Sequence, residues 1–186
     1  MRGICILLLG AMMACSSPET VEEEAPVPQE EDGSSIESFG VSYVFSDSAR
    51  LTAKLKSRHV IEKEEDLGEG PEPIHYFYEW VELEFYDENG NLASRAEALG
   101  GKFRRKKRLA ELTGDVVLSN LEDETLRTEQ LFWDARIDSI YTYKPVEIET
   151  PDKIIRGSKG LKSNSSFTEY SIFGIQGEME TDENFQ

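Results

Sequence analysis

The chain has 186 residues, room for one domain with a core plus appendages, and a formal charge of −17. That charge excludes the basic footprint of a nucleic-acid binder and disfavours attraction of the whole domain to an anionic membrane surface. Both cysteines, Cys5 and Cys15, lie near the N-terminus, so no disulfide framework is expected in the folded part.

Residues 1–14, MRGICILLLGAMMA, carry one Arg, an apolar stretch and small or apolar residues before Cys15. This is the layout of a secretory signal, too short to span a bilayer. The run Met12-Met13-Ala14-Cys15-Ser16-Ser17 resembles a bacterial lipobox, in which the cysteine is lipidated and becomes the new N-terminus. The alternative is an ordinary signal peptide with an incidental Cys. Lipidation at Cys15, with two or three acyl chains, would anchor an acidic domain firmly without help from basic residues. The following stretch to Ser38 is acidic, contains proline and has almost no large apolar side chains. It reads as a disordered tether, residues 15–38 with the cysteine, and a coil of that length reaches roughly 25–29 Å.

The folded domain is expected over residues 39–177, with a polar tail at 178–186. Val41, Tyr43 and Phe45 alternate ahead of a turn at Ser46-Asp47-Ser48, and Leu51, Ala53 and Leu55 alternate after it. That period of two suits half-buried strands. Glu62 to Pro73 reads as a loop, and Ile74 to Tyr86 as a long aromatic-rich strand. Asn89-Gly90 is a hairpin signal, with a returning strand over Leu92 to Leu99. Lys102 to Arg108, KFRRKKR, is the sole basic cluster. It reads either as a contact for phosphate groups of an anionic lipid or an acidic partner, or as a solvated hairpin end or edge strand kept from aggregating by charge.

A loose repeat follows. Val81-Glu82-Leu83, Val116-Val117-Leu118 and Val146-Glu147-Ile148 each precede a turn and a second strand, beginning at Leu92, Leu126 and Ile155. Such units cannot bury a face alone and must stack. The last strand is placed at Phe167 to Gln176. No segment has sustained helical periodicity, so the fold class is all-β: a sandwich, barrel or solenoid.

The search for chemistry finds little. His59 and His75 have no partner at metal-ligand spacing, and there is neither a nucleophile elbow nor a phosphate-cradling glycine loop. Acidic residues abound, but nothing singles out a catalytic pair. The expectation is a non-enzymatic protein that needs no cofactor or metal. Phe85, Leu118, Phe132, Trp133, Tyr141 and Ile148 either fill a dry core or line a slot between packed sheets that accepts acyl chains.

From Phe39 to about Gln176 the chain resembles the lipopolysaccharide-export component C family, LptC. The residues that carry the resemblance are Phe45-Ser46-Asp47-Ser48-Ala49-Arg50-Leu51-Thr52-Ala53 and Leu126-Arg127-Thr128-Glu129-Gln130-Leu131-Phe132-Trp133-Asp134, in that order. Ile140-Tyr141-Thr142, Pro145-Val146, Ile155-Arg156-Gly157 and Gly160-Leu161-Lys162-Ser163-Asn164 complete them. A lipobox in place of a transmembrane helix is similar to the lipoprotein branch of that family. The resemblance implies a β-jellyroll, OstA-like and open at its ends, whose interior carries the acyl chains of lipopolysaccharide. It implies a periplasmic protein held at the inner membrane, the outer membrane being the alternative. Its partners would be an inner-membrane ABC transporter and an LptA-like bridge protein joined by edge-strand pairing. Gly157 falls where the family has a functionally important glycine, with Gly160 as a rival. The edge strand with Phe167, Tyr170, Ile172 and Phe173 would be the docking strand. Two other readings are a soluble LptA-like bridge component and a surface lipoprotein that binds polysaccharide through its aromatics.

Overall fold

A computed structural model describes residues 35–176. The proposed signal peptide, Cys15, most of the tether and the polar tail lie outside the described residues. Thirteen strands and no helix occur among those described. They are β1 (Ile36–Asp47), β2 (Arg50–Asp66), β3 (Pro71–Tyr86), β4 (Leu92–Ala98), β5 (Gly100–Arg104), β6 (Leu109–Asn120) and β7 (Thr125–Asp134). Six short strands follow: β8 (Ser139–Thr142), β9 (Val146–Glu149), β10 (Ile154–Gly157), β11 (Leu161–Asn164), β12 (Tyr170–Ile172) and β13 (Ile175–Gln176). All pairings are antiparallel and join into one sheet.

The sheet is a meander with a crease. Strands β4 and β5 lie end to end along both β3 and β6. Strands β9 and β8 likewise share β7, then β10 and β11 continue the two lines, and β13 and β12 end them. At the crease the long strands shift register, between Ser57 and His59 on β2 and between Thr113 and Val116 on β6. Glu79, Gly114, Asp115, Gly160 and Gly174 all have positive φ there. A bulge adds a residue and bends the strand, so a row of bulges and breaks folds one sheet into two facing halves.

That folding is visible in contacts between the halves. Phe45 meets Phe103 at 5.3 Å, and Trp133 meets Phe85 at 5.3 Å. In the half-sheet of β4 and β9, direct cross-strand partners form an apolar row, Tyr43–Leu55–Leu83–Ala96–Leu118–Leu126–Ile148–Ile155. Leu55, Leu83, Leu118, Leu126 and Ile148 are fully buried in that row. Each contributes roughly 1.5–3 kcal/mol of transfer free energy. The three repeat units of the sequence are the hairpins β3/β4, β6/β7 and β9/β10, neighbours within this half-sheet. Their loops share a polar cap. The Asp87 carboxylate accepts from the Asn89 and Asn91 amides at 2.9 and 2.8 Å. Asn120 Oδ1 does the same for Glu122 and Glu124, and Thr150 Oγ1 for Lys153.

Two expectations about element ends are corrected. Strand β1 begins at Ile36 and pairs from there with Glu62, three residues ahead of the expected start of the domain at residue 39. Glu62 to Pro73 is not a loop but the end of a long hairpin, with only residues 67–70 in the turn. The basic run makes this acidic hairpin affordable. Arg104 pairs with the buried Glu72, Lys107 lies 3.1 Å from Glu69, and Lys106 Nζ donates to the Pro71 carbonyl at 2.7 Å. The cluster is therefore a hairpin end, β5/β6, engaged within the chain. The outer face of β2–β3–β4 is similarly neutralised: Lys56 lies 2.9 Å and Arg95 3.3 Å from both Glu82 and Glu84.

Candidate functional site

Three regions form the candidate site: the apolar interior, the mouth opposite the crease, and the two free edges of the sheet. Period-two alternation decides what faces inward. Phe85, Leu118, Trp133 and Ile148 are buried and belong to one core cluster with Leu55, Leu83, Leu126 and Phe167. Phe132 and Tyr141 do not join them. They alternate with the inward Leu131, Trp133 and Ile140, and their rings stack on each other at 5.2 Å on the outer face. The expectation that both line the interior is overturned by this parity. Leu131-Phe132-Trp133 is an unbroken apolar run, and such a run does not reveal which residues point in.

The mouth is where the hairpin ends of the two halves meet. The β1/β2 and β3/β4 turns come from one half, and the β5/β6 and β7/β8 turns from the other. Between them lies a cleft of about 650 Å³, lined by Asp47, Arg50, Tyr86, Arg108, Trp133 and Asp138. Its rim is polar, and the nearly buried Trp133 is among its lining residues. Asp134 organises the β7/β8 turn by accepting from the Arg136 backbone at 3.0 Å and from its guanidinium at 2.9 and 2.6 Å. The Arg136 guanidinium holds the Asp134 carboxyl below the usual range.

Beside the cleft, residues 165–169 connect β11 to β12 and cross to the opposite half. Ser94 Oγ on β4 donates to the Ser165 carbonyl at 2.5 Å, and Asn120 Nδ2 donates to the Phe167 carbonyl at 2.8 Å. Phe167 is 0 % exposed, at φ 54, and stacks on Tyr170 at 5.0 Å. Placing it at the start of an edge strand is therefore a mistake. Asn164 Oδ1 caps the Thr168 and Glu169 amides and turns the chain before any strand begins.

The edges are β1, paired only to β2, and β12 with β13, paired only to β11 and β10 among the described residues. Of the expected docking strand only Tyr170–Ile172 and Ile175–Gln176 are extended, with Phe173 exposed at the crease between them. Gly157 is a buried residue of strand β10 without positive φ, not a turn glycine. Its role is space. A Cβ there would collide with Ile172 Cγ2, sit 3.0 Å from Val146 Cγ2 and lie 3.2 Å from the Phe173 carbonyl. The rival Gly160 is the residue that needs positive φ, at 93°. The structure thus brings Gly157, Ile172 and Phe173 together at the C-terminal edge, while Phe167 and Tyr170 sit at the mouth.

Sequence reading missed a polar group under β1. The Tyr43 hydroxyl and His75 Nδ1 are hydrogen-bonded at 2.6 Å, and Glu62 lies 3.3 Å from His75 Nε2. Burial pushes the Tyr43 hydroxyl up to about 12 and holds the His75 imidazole below its ordinary value, against an opposing pull from Glu62. The signal was present as two residues with the period of the strand, separated by more than thirty positions, and pairing them requires the register. No group of three or more potential metal ligands clusters among the described residues.

Fold and site together define an open-edged β-jellyroll with an apolar interior and a polar mouth. The chain belongs to the LptC-related family of lipopolysaccharide-assembly proteins, whose sequence pattern it matches over residues 3–167. That membership places it in lipopolysaccharide transport, among periplasmic and inner-membrane-associated transport components. No curated protein matches the sequence.

Proposed function

We propose that this chain is a membrane-anchored relay for lipopolysaccharide. It takes the lipid from an inner-membrane ABC transporter, holds acyl chains between the half-sheets, and passes them to an LptA-like bridge protein. The reading is supported most by the inward row from Tyr43 to Ile155, which runs unbroken across eight strands and gives that half-sheet a continuous apolar inner face for hydrocarbon to pack on where the halves part. Burying apolar surface is the only driving force such a face supplies, so directionality has to come from the transporter. The handover is by β-augmentation: the exposed backbone of β12 and β13 offers an N–H and C=O ladder to a partner strand. Lipid at Cys15 supplies the anchor, and the acidic tether keeps the domain within a few nanometres of the bilayer.

Titration of the purified full chain with lipid A tests the reading. Saturable binding that is lost when Leu118→Asp puts a carboxylate on that face is the expected result. No saturable binding to a folded chain would overturn it. Incorporation of labelled palmitate at Cys15 tests the anchor separately, and a Cys15→Ser chain released into the soluble fraction is the expected companion result.

A further inference from the structure

The strap at 165–169 carries an inference that rests on the relay reading and deepens it. Phe167 is a large aromatic on an irregular connection, yet its side chain is fully buried in the common core. Its φ of 54° lies in the left-handed region, uncommon for any non-glycine residue and costly for a bulky one. The strap that carries it belongs to the half-sheet of β11 and β12, but it is tied to the other half by polar contacts. These are Ser94 Oγ to the Ser165 carbonyl, Asn120 Nδ2 to the Phe167 carbonyl, and the Tyr170 hydroxyl to Glu124 at 3.1 Å. On its own side, Ser165 Oγ donates to Asp138 at 2.6 Å. Asp138 also lines the open cleft at the mouth. The strap therefore closes the part of the mouth next to the cleft, where the interior would otherwise continue outward.

The interior is otherwise occupied by side chains that the strands themselves fix. Phe85, Leu118 and Ile148 cannot leave without breaking the ladder. Phe167 can, because its backbone joins no ladder: besides its packing and its stack on Tyr170, the strap is held by the few side-chain hydrogen bonds named above. We infer that the Phe167 ring occupies an acyl-chain site, and that residues 165–169 are a displaceable strap that lifts to admit the lipid's hydrocarbon at the mouth. A strained backbone and a plug held by a few side-chain hydrogen bonds rather than a strand ladder are what such a competitor requires. A ring that served only as core would be better placed on a strand at relaxed dihedrals.

Amide hydrogen exchange on the full chain, with and without lipid A, tests the inference. Peptides covering residues 164–170 are expected to lose protection when lipid binds, while β3 and β6 gain or keep theirs. Because the plug competes with ligand, Phe167→Ala should tighten lipid A binding by about ten-fold, the factor by which a mostly closed state lowers apparent affinity. Ser94→Ala, which removes one tie and leaves the ring in place, should tighten it by a smaller factor and serves if the Phe167→Ala chain fails to fold. Lipid binding with unchanged or increased protection at 164–170, or weaker binding by a folded Ser94→Ala chain, would overturn the strap and leave the relay standing. A folded wild-type chain that binds no lipid would overturn both.

Discussion

The indole of Trp133 on β7 meets the ring of Phe45 on β1 edge to face, with centroids 4.9 Å apart and planes at 89°. These residues come from opposite halves of one sheet, and their contact closes the fold at the mouth. Phe85 adds a second edge contact to the same indole. Trp133→Ala should therefore cost about 3–5 kcal/mol of stability, since it removes transfer energy and leaves a cavity between the halves. Denaturant unfolding checks this, and Trp133→Phe should recover more than half of the loss.

Gly157 is packed under the last strands, with Ile172 occupying the place of its side chain. Gly157→Ala should cost about 1–3 kcal/mol through overpacking, and the damage should be local. Hydrogen exchange is expected to rise in residues 170–176 and stay unchanged in β2 and β3. A bridge-protein partner that pairs with this edge should lose binding in the same variant.

Arg104 holds the buried Glu72, with Nε 2.9 Å from Oε1. Arg104→Ala leaves a buried carboxylate unpaired, at a cost of about 3–5 kcal/mol. Pairing Arg104→Ala with Glu72→Gln should restore most of it. Protection of the β2/β3 hairpin end is the local readout, and it should fall with the single variant and return with the double.

His75 sets a pH dependence. Burial holds its folded value below the ordinary 6.5, so the unfolded chain binds the proton more readily than the folded one. Its contribution to stability is present above 6.5 and is lost as pH falls through the lowered folded value. The groups facing the imidazole are Tyr43 on β1, Glu62 on β2 and Arg105 in the β5/β6 turn. Unfolding midpoints of wild type and His75→Gln, measured from pH 7.5 to pH 5, should converge as the pH drops.

Much of this architecture is legible in the sequence, and the failures have physical causes. The hairpins at Leu83/Leu92, Leu118/Leu126 and Ile148/Ile155 were readable because alternation and turn residues coincide there. The crease was not, because a bulge changes which parity faces inward. Ala53, Leu55 and Ser57 point in on one side of Arg58, and Val60 on the other. Phe132 and Tyr141 were misplaced by the same ambiguity: Leu131-Phe132-Trp133 and Ile140-Tyr141 put apolar residues side by side, and adjacent apolar residues carry no parity. Phe167 read as a strand start because Phe-Thr-Glu-Tyr-Ser-Ile looks like a continuing extended run. Only the Asn164 cap and the positive φ reveal that the chain turns inward first. The basic run was settled by tertiary pairing with Glu69 and Glu72, more than thirty residues away.

In the proposed relay, hydrocarbon from lipopolysaccharide travels between the half-sheets. The most direct test of this path is in-cell photocrosslinking, with a photoreactive residue placed in turn at Leu118 and Ile148 inside, and at Lys54, Phe132, Tyr141 and Glu147 outside. Lipopolysaccharide adducts are expected from the two interior positions and none from the four outer ones. Adducts confined to the outer positions, or none from any position in a folded and well-expressed chain, would contradict it.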